Sequence, residues 1–456
     1  MIKTIINTFA NCFKIPELKS RILFTLLLLG ICRVISMLPV PGLNGAELSE
    51  FLKRAAKTGG GGGLLDMYSM FTGGALEKCA VGALGIMPYI SATIIIQLLT
   101  AVVPRLSKLA REEGGRTKII QYGRYLTVLL CLGQGVFMAY GWQTGSLFSG
   151  FTGHLVLYTN LWWYYIQTVL VITTGTLLLM YLGEQISERG IGNGISLVIS
   201  IGIMARLPQA GVALMDFFRH GAEAGLIVFK CIAMILLLFG VIAGVIAVTQ
   251  AQRKVAVQYA QRAIGRKVVA GGTSFMPLRV NYAGVMPIIF AQAILMFPAK
   301  IFSAASGSLS FLRKFADYNL REGDPFYLSL YGLMILFFSY FWVATQFNEI
   351  QIADDLKKYG GYIPGVRPGQ ATSNFLHNAM SRITLAGAVF LTIIAIIPIL
   401  LYSQMNVPYT LATFFGGTSM LILVGVMLDT MRQMESHLLM RHYDGFLKKG
   451  RLKGRF

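Results

Sequence analysis

The sequence predicts an all-α polytopic membrane protein of about ten transmembrane helices. Of its 456 residues, 55% are hydrophobic and only 13% are charged, whereas a soluble globular protein carries about 25% charged residues. The apolar residues also come in blocks of about twenty, which is the length that a helix needs to cross a bilayer. Composition and block length together therefore favour a membrane protein over a soluble domain with a large core.

A search with a window of about twenty residues finds ten candidate spans. The fifth span is short and contains several glycines, so its ends are the least defined. The ten spans are expected near residues 22–40, 77–100, 122–142, 161–182, 191–207, 225–248, 284–304, 326–347, 379–402 and 410–431.

The basic residues predict how these spans are oriented. Ten spans place both termini on one side of the membrane, and if that side is the cytoplasm, 28 of the 40 Lys and Arg residues lie inside. The 20 acidic residues divide almost evenly, 11 inside and 9 outside, as expected of a bias that depends on Lys and Arg. We therefore expect a cytoplasmic N-terminus over residues 1–21 and a basic cytoplasmic tail over residues 432–456.

Two cytoplasmic loops are long and strongly patterned. The loop of residues 249–283 contains six basic residues and no acidic one, and the loop of residues 348–378 contains Gly-Gly, Ile-Pro-Gly and Arg-Pro-Gly sequences. Such sequences are typical of defined turns. Ordinary positively charged loops beside lipid headgroups are one interpretation, but connections of this length are usually functional, which favours docking surfaces.

A glycine run follows the first span on the extracytoplasmic side. Gly59–Gly63 precede the sequence LLDMYSMFTGGAL, which is apolar but too short to cross a bilayer. Such a segment is tolerated at membrane depth only inside protein or beside a cavity, so we expect a hinge followed by a short re-entrant helix. A phosphate-binding loop is excluded because the Gly-Lys-[Ser/Thr] ending is missing.

Enzymatic motifs are absent from the sequence. The five histidines form no His-Glu-x-x-His motif, no Gly-x-Ser-x-Gly sequence occurs, and no acidic pair lies deep in a span. We therefore expect neither an enzyme nor a cofactor or metal. Arg33 lies in the outer half of the first span, and its long side chain is expected to reach the interface. A ten-span secondary transporter stays as an alternative, although it would be expected to hold buried carboxylates, which the spans do not offer.

Several motifs, in order along essentially the whole chain, resemble the SecY family of protein-translocation channels. They are FKIPEL (13–18), RILFTL (21–26), ALGIMPYISATIIIQLL (83–99), SERGIGNGIS (187–196), the two cytoplasmic loops, NYAGVMPIIFAQAI (281–294) and FGGTSMLI (415–422).

This resemblance implies a specific architecture and function. Two inverted, pseudo-symmetric halves of five helices, here residues 22–207 and 208–431, would enclose an hourglass pore that a short plug helix closes. Secretory polypeptides would pass through the pore, and membrane segments would leave sideways through a lateral gate between span two and spans seven and eight. The implied location is the bacterial cytoplasmic (inner) membrane.

The resemblance also implies a ring of aliphatic side chains at the pore waist. Ile86 and Ile90 lie four residues apart, as do Ile195 and Ile199, so each pair shares a helical face. Aliphatic side chains at a constriction resist ion leakage by dewetting. The positions of these isoleucines alone would equally suit ordinary packing or lipid-facing residues. The match to the motifs of the SecY family favours the pore ring. Its predicted members are Ile86, Ile90, Ile195, Ile199, Ile289 and Ile422.

The plug and the lateral gate follow from the same resemblance. The predicted plug comprises Leu64, Leu65, Asp66, Met67, Tyr68, Ser69, Met70, Phe71 and Thr72. Thr93 and Gln97 are polar residues four apart on span two, and they would either form a polar contact across the gate or make an ordinary interhelical hydrogen bond.

The implied partners belong to a translocation machine. The cytoplasmic loops would dock the ribosome and the SecA motor, with Arg253, Lys254 and Arg367 as the basic contacts. Basic side chains suit the phosphates of ribosomal RNA. SecE and SecG subunits, signal peptides, nascent polypeptides and membrane lipids complete the set of expected partners.

Overall fold

The computed structural model describes residues 15–45, 47–51, 69, 72–112, 114–145, 155–220, 224–259, 262–264, 267–269, 272–282, 284–304, 324–405 and 418–449. The chain forms two compact units. Unit one comprises three segments of the chain, Met1–His220, Pro408–Thr410 and Val426–Phe456. Unit two comprises Gly221–Val407 and Leu411–Gly425. The predicted boundary between the halves at residue 207 stays a prediction.

The described residues are mostly helical. Unit one contains α1 (Pro16–Ile35), α2 (Met87–Val102), α3 (Pro104–Arg111), α4 (Gly115–Thr144), α5 (Leu161–Arg189), α6 (Gly194–Met204) and α7 (Leu207–His220). Then follow α8 (Ala224–Gln250), β1 (Gln252–Tyr259), β2 (Arg262–Ile264), β3 (Lys267–Val269), β4 (Thr273–Arg279), α9 (Met286–Ala304), α10 (Pro325–Gln346), α11 (Glu349–Lys358), β5 (Gly361–Tyr362), α12 (Gln370–Met405) and α13 (Thr418–Lys449).

A helix lies at each of the ten predicted spans. Among the described residues, six helices are long and apolar enough to cross a membrane, and a seventh counts when α2 and α3 are taken as one broken span. The break between α2 and α3 turns the chain by 103°, at Pro104, which occupies the first turn of α3. The polytopic helical fold predicted from composition is thus confirmed.

The second span begins later than predicted. Residues 77–86 were expected to be helical, but the chain from Thr72 to Ile86 makes successive turns and α2 starts only at Met87. Three glycines in these turns, Gly73, Gly74 and Gly85, have positive φ angles, which a glycine adopts at no steric cost. Ile86 is consequently the residue that precedes the helix and does not lie within it.

Helix α5 lies at the centre of unit one, where it contacts α1, α4 and α6. Its approach to α6 is very close, because a Cβ atom on Gly194 would lie 1.9 Å from the carbonyl oxygen of Gly183. Helix α6 begins beside this contact, where the side chain of Asn193 accepts hydrogen bonds from the backbone N–H groups of Ile195 and Ser196. Two facing glycines therefore set the distance between α5 and α6.

In unit two, the two patterned cytoplasmic loops fold together. Strand β1 from the first loop pairs with β4 on one side and with β5 from the second loop on the other, all antiparallel. One face of this sheet packs on α12 and on the end of α10 through a buried apolar cluster. The cluster comprises Val255, Val257, Leu278, Phe347, Ile363, Leu376, Ala379 and Met380. The sequence predicted two separate docking loops, and the fold makes them a single surface.

Candidate functional site

Four of the predicted ring residues lie in unit one. Ile86, Ile90 and Ile199 are buried and Ile195 is partly buried. The backbone N–H of Ile90 donates a hydrogen bond to the carbonyl of Ile86 at 3.2 Å, so the two remain one helical turn apart although Ile86 precedes α2. A Cβ on Gly183 would lie 3.6 Å from Cδ1 of Ile86 and 3.7 Å from Cγ1 of Ile195. Gly183 thus brings Ile86 and Ile195 together on one side of α5.

The other two ring residues, Ile289 and Ile422, lie in unit two and are both buried. Val285 and Gly425 bring their elements together, because a Cβ on Gly425 would lie 2.3 Å from Cγ1 of Val285. Ile289 follows Val285 by four residues and Ile422 precedes Gly425 by three. Each isoleucine therefore lies about one helical turn from this close approach.

The predicted plug is described only at its C-terminal part. Ser69 and Thr72 are buried, and Leu64, Leu65, Asp66, Met67, Tyr68, Met70 and Phe71 lie outside the described residues. The carbonyl of Ser69 accepts hydrogen bonds from the hydroxyl of Thr72 at 3.2 Å and from the backbone N–H of Gly74 at 2.8 Å. These bonds form a tight turn where the chain leaves the predicted plug.

Two arginines of unit one hold this turn. Glu77 accepts a hydrogen bond from the hydroxyl of Ser69 and forms an ion pair with Arg206, which follows the end of α6. Arg33 of α1 donates from Nη1 to the carbonyl of Gly73 at 3.2 Å. The sequence suggested that Arg33 reaches the interface, but its side chain bonds the backbone next to the plug. We name Ser69, Glu77 and Arg206 the plug latch.

The two predicted gate residues lie on α2 and are both partly buried. The hydroxyl of Thr93 donates to the carbonyl of Tyr89 at 2.8 Å, within the same helix. The side-chain oxygen of Gln97 is buried, and within the described part of the chain it has no hydrogen-bond partner. Neither residue makes an interhelical hydrogen bond there, and their role in the gate stays a prediction.

A charged cluster that the sequence did not predict links three helices of unit one. Glu184 of α5 accepts two hydrogen bonds from Arg124 of α4, at 3.2 Å from Nε and 2.8 Å from Nη2. Its Oε1 atom also accepts the hydroxyl of Tyr89 on α2 at 3.2 Å. The side chain of Glu184 is only 14% exposed, whereas we expected no buried carboxylate in the spans. Arg124 lies near the start of α4 and Glu184 near the end of α5, so the two residues occupy the ends of consecutive antiparallel spans opposite their connecting loop, a signal that could have revealed this pair.

The predicted docking residues lie on the surface of unit two. Arg253 and Lys254 are adjacent on β1 and both are exposed, so their side chains point to opposite faces of the sheet. Lys254 shares the outer face with two exposed aromatic residues, Phe275 of β4 and Tyr362 of β5. These aromatics were missed because neither stands out in the loop sequences.

Arg367 lies in the turn after β5 and its side chain is exposed. Its backbone carbonyl accepts a hydrogen bond from the buried hydroxyl of Thr372 at 2.9 Å. The backbone of Arg367 therefore serves the fold, while its guanidinium is available at the surface. Within the described part of the chain, no group of His, Cys, Asp and Glu residues could hold a metal ion.

Comparisons with known proteins agree with this architecture. The family model named SecY matches residues 80–431. The Protein translocase subunit SecY of Thermotoga maritima is 42% identical over 450 residues, which cover 98% of this chain and 99% of that protein. Two solved structures share the fold over 95% of this chain and 94% of theirs. One, at 20% identity and a TM-score of 0.55, concerns the plug domain of SecY, which stabilises the closed state of the translocation channel. The other, at 18% identity and a TM-score of 0.58, is Sec61 in a canine ribosome–channel complex.

Proposed function

Because this chain belongs to the SecY family, we propose that it is the central pore-forming subunit of a protein-conducting channel. Secretory polypeptides cross the bacterial cytoplasmic membrane through it, and transmembrane segments leave it sideways into lipid. The observation that carries this function is the 42% identity to a translocase subunit over 98% of the chain. The protein is multi-pass, with both termini in the cytoplasm.

The six isoleucines Ile86, Ile90, Ile195, Ile199, Ile289 and Ile422 form the constriction of the pore in this proposal. Their burial and their positions beside the close contacts at Gly183 and Gly425 support this role. Branched aliphatic side chains exclude water from a narrow passage. They also close around a passing chain without recognising its sequence, because apolar contact is non-directional.

Residues 64–72 form the plug in this proposal, and the plug latch holds its C-terminal end. The ion pair between Glu77 and Arg206, with the hydrogen bond from Ser69, supports this assignment. A charged pair is strongest where water is partly excluded, and both side chains are at most 17% exposed. The latch therefore favours a fixed position for the chain that leaves the plug.

The sheet of β4, β1 and β5 is the docking surface in this proposal, with Arg253, Lys254 and Arg367 as its basic contacts. The ribosome docks there during cotranslational insertion, and the SecA motor docks there during secretion. SecE and SecG are the partner subunits, and signal peptides, nascent chains and membrane lipids are the remaining partners. Exposure of all three basic side chains supports this surface.

The alternative of a ten-span secondary transporter is not supported by the family. Glu184 is a mostly buried carboxylate, but Arg124 pairs with it, so it belongs to a structural ion pair between α4 and α5. We further propose that the chain catalyses no reaction of its own. The motor and the ribosome therefore supply the work of translocation.

Single-channel conductance in planar bilayers tests this function. The wild-type complex is compared with a variant that lacks residues 64–72 and with a control that carries a Gly-Ser segment of equal length there. We expect a silent wild type and large, poorly selective openings in both variants. If all three stay silent while a solute gradient drives stoichiometric flux, the channel function is wrong. If only the deletion conducts, the chain length rather than the plug side chains seals the pore.

A further inference from the structure

The chain at the start of α2 is fixed to α5 at two neighbouring positions. Gly183 lies against the side chain of Ile86, and Glu184 accepts the hydroxyl of Tyr89. Ile86 immediately precedes α2, and Tyr89 lies in its first turn, three residues further along the chain. The start of span two is therefore held by an apolar contact and by a polar contact at once.

The polar contact is anchored by a third helix. Arg124 of α4 binds both carboxylate oxygens of Glu184, in the fork geometry that fixes a carboxylate most strongly. The carboxylate therefore cannot rotate away from Tyr89 without breaking two charge-assisted hydrogen bonds. We name Tyr89, Glu184 and Arg124 the span-two brace.

We propose that the span-two brace sets how easily span two moves, and that Glu184 is thereby a positioning residue for the channel's gate. This inference rests on the proposed function, in which span two forms one wall of the lateral gate. Outward movement of α2 breaks the bond between Tyr89 and Glu184, while the pair of Glu184 and Arg124 stays together. The brace thus adds a defined energetic barrier to opening, separate from the aliphatic ring and from the plug latch.

The magnitude follows from the kind of bond that is broken. Interhelical hydrogen bonds in membrane proteins contribute about 0.6 kcal/mol on average, and this converts to about a threefold change in an equilibrium constant. Tyr89→Phe removes only the hydroxyl and leaves the ring in place. We therefore expect about a threefold rise in the population with span two displaced, with little loss of folded protein.

The test measures transport of two reporters into vesicles that contain the complete translocase. One reporter carries a normal signal segment and the other a signal segment with weakened hydrophobicity. In Tyr89→Phe we expect transport of the weakened reporter to rise about threefold relative to the normal one, because less energy is needed to open the gate. A purely structural role would lower both signals together and leave their ratio unchanged.

Two further variants separate the possible outcomes. Tyr125→Phe is the matched control, because Tyr125 is 70% exposed on α4. In this variant the ratio of weakened to normal reporter transport should equal that of the wild type. Glu184→Gln retains an acceptor for Tyr89 but loses the ion pair with Arg124, so its ratio should lie between those of the wild type and Tyr89→Phe. If the wild type transports both reporters and Tyr89→Phe leaves their ratio unchanged, the proposed role of the span-two brace in gate opening is wrong. If the wild type transports neither reporter, the proposed function itself fails.

Discussion

The contact between Gly183 and Gly194 offers a sharp test of how the ring is positioned. Gly194→Ala would place a Cβ atom 1.9 Å from the carbonyl oxygen of Gly183 and 2.8 Å from Cβ of Ile186. Real Cβ atoms essentially never approach another atom within 3.0 Å. Because the nearest atom belongs to the backbone of a packed helix, it cannot rotate away, and α5 and α6 must separate by about 1 Å.

Two energy terms of opposite sign contribute to this substitution. Replacing glycine by alanine favours a helix by about 1 kcal/mol in a helix interior, and by less at the first residue of α6. Overpacking costs about 1–3 kcal/mol, occasionally more, and here the contact is with rigid backbone. We therefore expect a net loss of about 1–2 kcal/mol in stability, and a displacement of Ile195 and Ile199, which α6 carries.

Gly183→Ala is the matched control on the facing helix. Its Cβ would lie 3.6 Å from Ile86 and 3.7 Å from Ile195, which is ordinary van der Waals contact. Thermal unfolding in detergent and resting ion leakage in planar bilayers measure the two effects. We expect lower stability and raised leakage in Gly194→Ala, with wild-type behaviour in Gly183→Ala. Equal behaviour of the two variants would refute the packing on which this reasoning rests.

Three further predictions concern the surface, the latch and the sheet. Arg367→Glu should leave the channel assembled, because only the carbonyl of Arg367 serves the fold, but should stop transport into vesicles; normal transport would contradict the docking role. Glu77→Gln should remove the ion pair with Arg206 and raise the frequency of channel openings in bilayers, and an unchanged frequency would argue against the latch. Leu278→Ala removes a fully buried side chain at a cost of about 2–5 kcal/mol. It should expose both cytoplasmic loops to limited proteolysis, and protection of either loop at the wild-type level would contradict their shared core.

The class of the protein and the order of its helices could be predicted from sequence. Blocks of apolar residues predict membrane spans directly. Each span must be long enough to cross the bilayer, and its backbone groups must be hydrogen-bonded within the helix, so both constraints act on one local segment of the chain. The basic loops were also visible, since their charge bias is a local property of the chain. The start of span two was misplaced because residues 79–86 (CAVGALGI) are as apolar as a helix, and the glycines at 73, 74, 82 and 85 were the local signal for turns.

The sequence by itself therefore determined that this is a helical membrane protein of the SecY family, with aliphatic residues at defined helical positions. Only the tertiary structure decided which residues meet. Gly183 with Ile86 and Ile195, Glu184 with Tyr89 and Arg124, and Glu77 with Arg206 are all pairs from different elements. The physical reason is that composition and periodicity are properties of one segment of the chain and predict that segment's structure. The partner of a buried charge depends instead on how separate helices pack.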